Sequence, residues 1–231
     1  MDNYKIKYLK YKTKYLEHKK KFDNINSSCV KNNNSNNLIL TNIDYFCELK
    51  KLYPYCVNKL DETKDITYTY GEMEYDGVES LNKIINPDNK LKYFLDIGSG
   101  RGKLPCWFAG IPNIIKSIGI EIVKQRCIDA QELKLNLAIK YLEQTNKIEL
   151  ICGSFESYNL NELVQSDPNT LIWISNLCFG SELTENVFTQ ILNQMVKGTI
   201  ICCSKKPSEY IDFNTINKLF FKSQTKIKMS W

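Results

Sequence analysis

A chain of 231 residues, 43% apolar and 12% aromatic, can bury one sizeable core with an extension beside it. No stretch reaches the ~18 apolar residues that a membrane span needs, and the start Met1-Asp2-Asn3-Tyr4-Lys5 lacks the apolar block of a secretory signal. An intracellular protein without a membrane partner is expected, in the nucleus or cytoplasm. The net charge of +5 is lopsided: lysines outnumber acids nine to three in residues 1–31, leaving the remainder near neutral. Attraction to polyanions therefore belongs to the leader.

In residues 1–23, Tyr4, Tyr8, Tyr11 and Tyr15 recur at helical spacing with lysines between them, which predicts a basic amphipathic leader helix. Its lysines, Lys5 to Lys21, offer a polyanion contact. Its tyrosines could instead pack on the domain or on a second copy, so the oligomeric state stays open. The asparagine- and serine-rich residues 24–37 have almost nothing to bury and read as a disordered linker. Residues 38–90 carry Ile43, Phe46, Leu49 and Leu52 before Pro54, then a second run from Gly77 to Ile85, and predict a small helical lobe.

Residues 91–231 alternate strand and helix signals. Strands are expected at 93–97, 117–121, 148–152, 171–175 and 199–203. Between them lie helical stripes of Cys127, Ala130, Leu133, Leu137 and Tyr141, and of Leu183, Val187, Ile191 and Met195. This order specifies an α/β protein, a doubly wound Rossmann-like parallel sheet. Cys152, Cys202 and Cys203 fall in expected strands, Cys178 falls beside one, and no CxxC pair occurs, so the cysteines read as buried reduced thiols without a metal site. The single histidine, His18, lies in the leader, away from any triad partner.

Chemistry concentrates after the strands. Asp96 ends the first one and is followed by Gly98-Ser99-Gly100-Arg101-Gly102-Lys103, where glycine lets the backbone bend tightly and approach a ligand. In the dinucleotide fingerprint the third glycine would occupy position 103, which is Lys103 here. The GxGxG spacing after a strand-end acid points instead to S-adenosylmethionine, with Asp96 near its methionine ammonium. Glu121 closes the second strand where an acid reaches a ribose diol, and Ile122 would line the adenine. Glu121 as a helix cap is the plainer alternative. After the third strand, Phe155 could pack on adenine and Ser154 read its amine, or Phe155 could be ordinary core. After the fourth comes Ser175-Asn176-Leu177-Cys178-Phe179-Gly180, where an amide could orient an attacking amine.

Together these segments resemble the disruptor-of-telomeric-silencing (Dot-one) family, the non-SET lysine methyltransferases of histone H3, from about Thr67 to about Lys206. Tyr70-Gly71-Glu72 looks like the family's loop over the methionine end of the cofactor. Residues 172–180 and Cys203-Ser204-Lys205-Lys206-Pro207 resemble its Asn-Asn-Phe-x-Phe-Gly and Ser-Ser-Lys-Pro segments. The resemblance implies a class I methyltransferase core, cofactor contacts at Tyr70, Gly71, Glu72, Asp96, Gly98, Ser99, Gly100, Gly102, Lys103, Glu121, Ile122, Ser154 and Phe155, and a lysine channel at Ser175, Asn176 and Phe179. It also implies a histone or nucleosome substrate. Ser175 replaces a family asparagine and Ser154 a family acid.

A methyltransferase of the same fold acting on nucleic acid or a small molecule is the first alternative, and a silent cofactor-binding scaffold the second. Against nucleic acid, the segment Asn176-Leu177-Cys178-Phe179 has no prolines, and the arginines are Arg101 and Arg126 alone, too few for bidentate base reading. The Lys-Tyr-Leu-Lys-Tyr leader looks like those on giant-virus proteins, which bears on origin and would place the protein in a viral factory.

Overall fold

Five short apolar runs form parallel strands, each feeding a helix that returns to the sheet. The computed structural model describes residues 35–53, 72–207, 219 and 223–227, with side chains from 42 onward. The leader, residues 24–34 of the expected linker, and Tyr70 and Gly71 lie outside the described residues. The elements are α1 (Ser35–Leu52), α2 (Tyr75–Ile85), β1 (Tyr93–Ile97), α3 (Lys103–Ala109), β2 (Lys116–Glu121), α4 (Lys124–Ala138), α5 (Leu142–Asn146), β3 (Ile148–Cys152), α6 (Leu160–Leu163), β4 (Thr170–Ile174), α7 (Ser181–Gln194) and β5 (Ile200–Cys203). Single 3-10 turns follow β3 at Phe155–Ser157 and β4 at Asn176–Cys178.

The sheet order is β3-β2-β1-β4-β5, parallel throughout, as a doubly wound α/β fold requires. Side chains alternate between its faces. Phe94, Leu171 and Trp173 join a core with α1 to α4, while Leu95, Ile97, Ile118, Ile120, Ile172 and Ile174 join a second core with α6 and α7. Phe94 stacks on Phe108 with centroids 3.9 Å apart. Among the described residues no helix is long and apolar enough to cross a membrane, and no group of His, Cys, Asp or Glu side chains could hold a metal ion.

Several expectations need correction. Helix α1 starts at Ser35, inside the expected linker, because serine and asparagine also suit helix starts and an apolar run follows directly. The expected helical lobe does not stand apart: Tyr45 and Leu49 are fully buried in the first core, and the Tyr45 hydroxyl donates to the Cys106 carbonyl at 2.5 Å. The α4 stripe stops before Tyr141, which precedes α5, and α7 stops before Met195.

The cysteines also differ from expectation. Cys178 lies in a 3-10 turn, Cys47 is exposed, and Cys127 and Cys152 form a disulfide with Cα atoms 5.7 Å apart. That separation is within bridging range. It arises because Cys152 pairs in register with Glu121, six residues before Cys127.

Gly119 marks the tightest contact between the sheet and the glycine turn. A Cβ there would lie 2.7 Å from Ser99 Oγ and 2.8 Å from Pro105 Cγ. Overpacking a core in this way costs roughly 1–3 kcal/mol. Gly119→Ala should therefore lower Tm by roughly 3–10 °C in a thermal melt, and an unchanged Tm would mean that the turn moves freely.

Candidate active site

The crevice at the carboxyl ends of β1 and β4 lies where the chain passes from one half of the sheet to the other, the place where open α/β sheets bind ligands. The turn after β1 and the loop after β4 meet there. Gly98, Gly100 and Gly102 all take the left-handed conformation, with φ of 81°, 55° and 77°. The N–H groups of Gly98 and Ser99 both donate to the Ile120 carbonyl, at 2.9 Å. A Cβ on Gly98 would lie 3.4 Å from Phe179 Cζ, so the Phe179 ring rests on the glycine turn. A Cβ on Gly102 would lie 2.9 Å from Ala130 Cβ, which holds the turn against α4. Arg101 adds an ion pair to Asp129 on α4, at 3.1 Å.

Between these walls opens a cleft lined by Glu72, Asp96, Gly98 to Gly100, Lys103 and Ser175, with Met73, Leu104 and Trp173 as its apolar lining. Asp96 is 2% exposed and its Oδ1 has no hydrogen-bond partner. Burial pushes its carboxyl well above the usual carboxylate range, and the charges of Glu121 and Glu72 push it further. Lys103 is buried too, with Nζ 3.5 Å from Glu72 Oε2 and 4.4 Å from the Tyr75 ring centroid. Glu72 also accepts from the Tyr53 hydroxyl at 2.5 Å. A buried carboxyl oxygen without a partner is costly, and Asp96 could therefore accept from a donor group that enters the cleft.

Glu121 is buried at the end of β2. Its Oε2 accepts from Gly100 N–H at 2.8 Å and its Oε1 from Val123 N–H at 2.7 Å. The second bond secures the entry to α4, but Glu121 is buried and no side chain caps that helix, so the alternative of a surface cap does not hold. Each oxygen keeps a free lone pair that a diol could use. Ile122 is 64% exposed beside it. Ser154 caps the 3-10 turn after β3, its Oγ donating to Glu156 Oε2 at 3.1 Å. Phe155 lies in the second core and is 7% exposed, which leaves little of its ring for a ligand.

Asn176 is fully buried, and the cleft lining includes Ser175 but not Asn176 itself. Its Oδ1 accepts from Lys205 N–H at 2.9 Å, while its Nδ2 has no hydrogen-bond partner.

The structure thus gathers Glu72, Asp96, the glycine turn, Lys103, Ser175 and Phe179 around one cleft and ties Glu121 to it through Gly100. Ile122, Ser154 and Phe155 lie outside the cleft, at the ends of β2 and β3. Sequence reasoning missed Tyr53, Met73, Trp173 and Glu156, and also the tie between Lys205 and Asn176. Lys205 and Trp173 had a signal, their places in the two segments that resemble the family's.

The family model described as "Histone methylation protein DOT1" matches residues 53–228. A histone-lysine N-methyltransferase, H3 lysine-79 specific, of Caenorhabditis elegans is 29% identical over 141 residues, which is 60% of this chain and 15% of that protein's length. The chain therefore spans a small part of that relative. Two solved structures are also similar. An RNA methyltransferase from Salinibacter ruber in complex with S-adenosyl-L-homocysteine has 15% identity over 56% of this chain and 74% of its own, with a TM-score of 0.43. A glycopeptide N-methyltransferase complexed with S-adenosyl-L-methionine has 10% identity over 64% of this chain and 59% of its own, also with a TM-score of 0.43.

Proposed function

The chain belongs to the histone methylation protein DOT1 family, and from that premise we propose that it is an S-adenosylmethionine-dependent protein-lysine N-methyltransferase acting on a histone, free or in a nucleosome. The observation that carries the cofactor reading is the pairing of an unsatisfied buried carboxylate at Asp96 with a buried ammonium at Lys103 in one cleft. Such a pair complements a zwitterion, the amino-acid end of the cofactor. Asp96 would hold its ammonium and Lys103 its carboxylate. Glu121 would hold the ribose, and Ile122 with Ser154 and the exposed edge of Phe155 would border the adenine.

When bound, the cofactor supplies a methyl carbon already activated by its sulfonium. The protein's task is then to place an amine in line with that carbon and keep water away. Asn176 Oδ1, fixed by Lys205 N–H, keeps one lone pair to accept from an amine N–H, which leaves the amine's own lone pair facing the methyl group. Phe179, seated on Gly98, would form the channel wall. A lysine side chain with an unperturbed pKa near ~10.4 must shed its proton first, and an apolar channel favours the neutral form. The leader lysines Lys5 to Lys21 would add a salt-sensitive hold on nucleosomal DNA.

The test is incubation with tritiated S-adenosylmethionine and, separately, nucleosomes, free histones and RNA. Label should appear on histone lysine, and labelling of nucleosomes should fall as salt is added. Label on RNA alone would replace this reading, and no label anywhere would leave a cofactor-binding scaffold. A second check concerns the ribose. Glu121→Ala should weaken cofactor binding by about 1–3 kcal/mol in a calorimetric titration, because two hydroxyls lose a charged acceptor. Unchanged affinity in the folded variant would remove Glu121 from the site.

A further inference from the structure

The disulfide lies under the adenosine side of the proposed cofactor site. Cys152 ends β3, which among the described residues is an edge strand paired only with β2, and is itself exposed. Its register partner is Glu121, whose carbonyl accepts from Gly153 N–H at 2.9 Å. Cys127 lies in the first turn of α4, its N–H bonded to the Val123 carbonyl at 3.1 Å and its Sγ 3.2 Å from the Glu121 carbonyl oxygen. The bond therefore ties the first turn of α4 to the free edge of the sheet, on either side of the Glu121-Ile122-Val123 turn. That turn carries the buried carboxylate, which is itself held by Val123 N–H and Gly100 N–H.

We propose that Cys127 and Cys152 form a redox modification site whose oxidised state preorganises Glu121 and the adjoining turn for the adenosine of the cofactor. The proposal rests on the cofactor reading above. Chromatin is worked on where thiols are normally kept reduced, so a pair this accessible is a reversible device and not a permanent staple. Hydrogen peroxide is the oxidant class. The exposed Cys152 thiolate attacks the peroxide oxygen, giving a sulfenic acid and releasing hydroxide, which leaves as water once protonated. The Cys127 thiolate then attacks the Cys152 sulfur, forming the S–S bond and expelling a second hydroxide, also protonated to water. Two thiols and one peroxide become one disulfide and two waters. A dithiol reverses the change by exchange.

Without the bond, the edge strand and the α4 turn lose a cross-link that removes chain entropy from less ordered states. The carboxylate must then be ordered at the moment of binding, which weakens affinity.

The test compares the full chain after dithiothreitol with the full chain after stoichiometric peroxide, each alkylated and mapped by mass spectrometry. S-adenosylmethionine affinity is measured by calorimetry and Tm by a thermal melt. The oxidised protein should yield a linked Cys127–Cys152 peptide, bind about 3- to 10-fold more tightly, and melt roughly 5–10 °C higher. Cys127→Ser and Cys152→Ser should each behave as the reduced wild type and ignore peroxide. Free, alkylated thiols at both positions after peroxide would overturn the proposal, as would equal affinity in the two states. No binding in either state would overturn the cofactor reading itself, a different result from equal binding in both.

Discussion

Asp96→Asn should make the cofactor-free protein more stable at neutral pH while removing most of its affinity for S-adenosylmethionine. Both effects follow from one buried carboxyl, raised well above its ordinary value by burial and by the neighbouring charges of Glu121 and Glu72. An unfolded aspartate ionises near ~3.9. Above that value the unfolded chain releases a proton that the folded chain keeps, so stability falls as pH rises through the window up to the raised folded pKa. Asparagine carries no such cost, and the variant's stability should lose this slope.

Binding runs in the opposite sense. The ligand's ammonium needs the carboxylate, so binding expels a proton and the wild-type affinity should rise with pH until Asp96 is ionised. In the variant the ammonium would be buried without its counter-charge, a loss of roughly 3–5 kcal/mol, which is a hundredfold or more in Kd. Melting curves from pH 4 to 8 and calorimetric titrations over the same range would check both halves. A variant that bound as tightly as wild type would mean that Asp96 does not meet the ammonium.

The strands were readable because each pairs a continuous apolar run with a turn signal, and β1 runs over residues 93–97 as the spacing predicts. The glycine turn was readable for the same reason that it works: three left-handed residues in five positions leave glycine as the residue that fits. Contacts made between elements distant in sequence were harder. Cys127 looked like one more member of a helical stripe, and nothing in periodicity says that β3 pairs with β2 so as to bring Cys152 beside it. Phe155 followed a strand at a suggestive place, yet the 3-10 turn rotates its ring into the core. Trp173 and Met73 are apolar residues in apolar surroundings, and only the sheet order shows that they end at the cleft.

Asn176 separates an enzyme from a scaffold. Its Oδ1 is tied to Lys205 N–H and its Nδ2 is buried without a hydrogen-bond partner, an arrangement that suits a group waiting for a ligand. Asn176→Ala should leave cofactor affinity nearly unchanged and slow methyl transfer about a hundredfold, near 2.7 kcal/mol of lost positioning. It should also lower Tm by a few degrees, because Lys205 N–H loses its acceptor. Asn176→Asp keeps that oxygen for Lys205 N–H and for the amine alike, so it should restore part of the Tm and part of the rate together. Gly98→Arg offers the contrast: a side chain is strained at its φ of 81°, and the arginine would fill the cleft, ending binding and turnover together. Ser175 lines the cleft and precedes Asn176 in the chain, and Ser175→Asn would place an amide in the cleft, with a rate equal to or above wild type. Single-turnover rates with the best histone substrate, set beside calorimetric cofactor affinities, give the readout. Should Asn176→Ala turn over at the wild-type rate, the amine does not pass this amide, and the family's fold and cofactor would be shared here without its lysine channel.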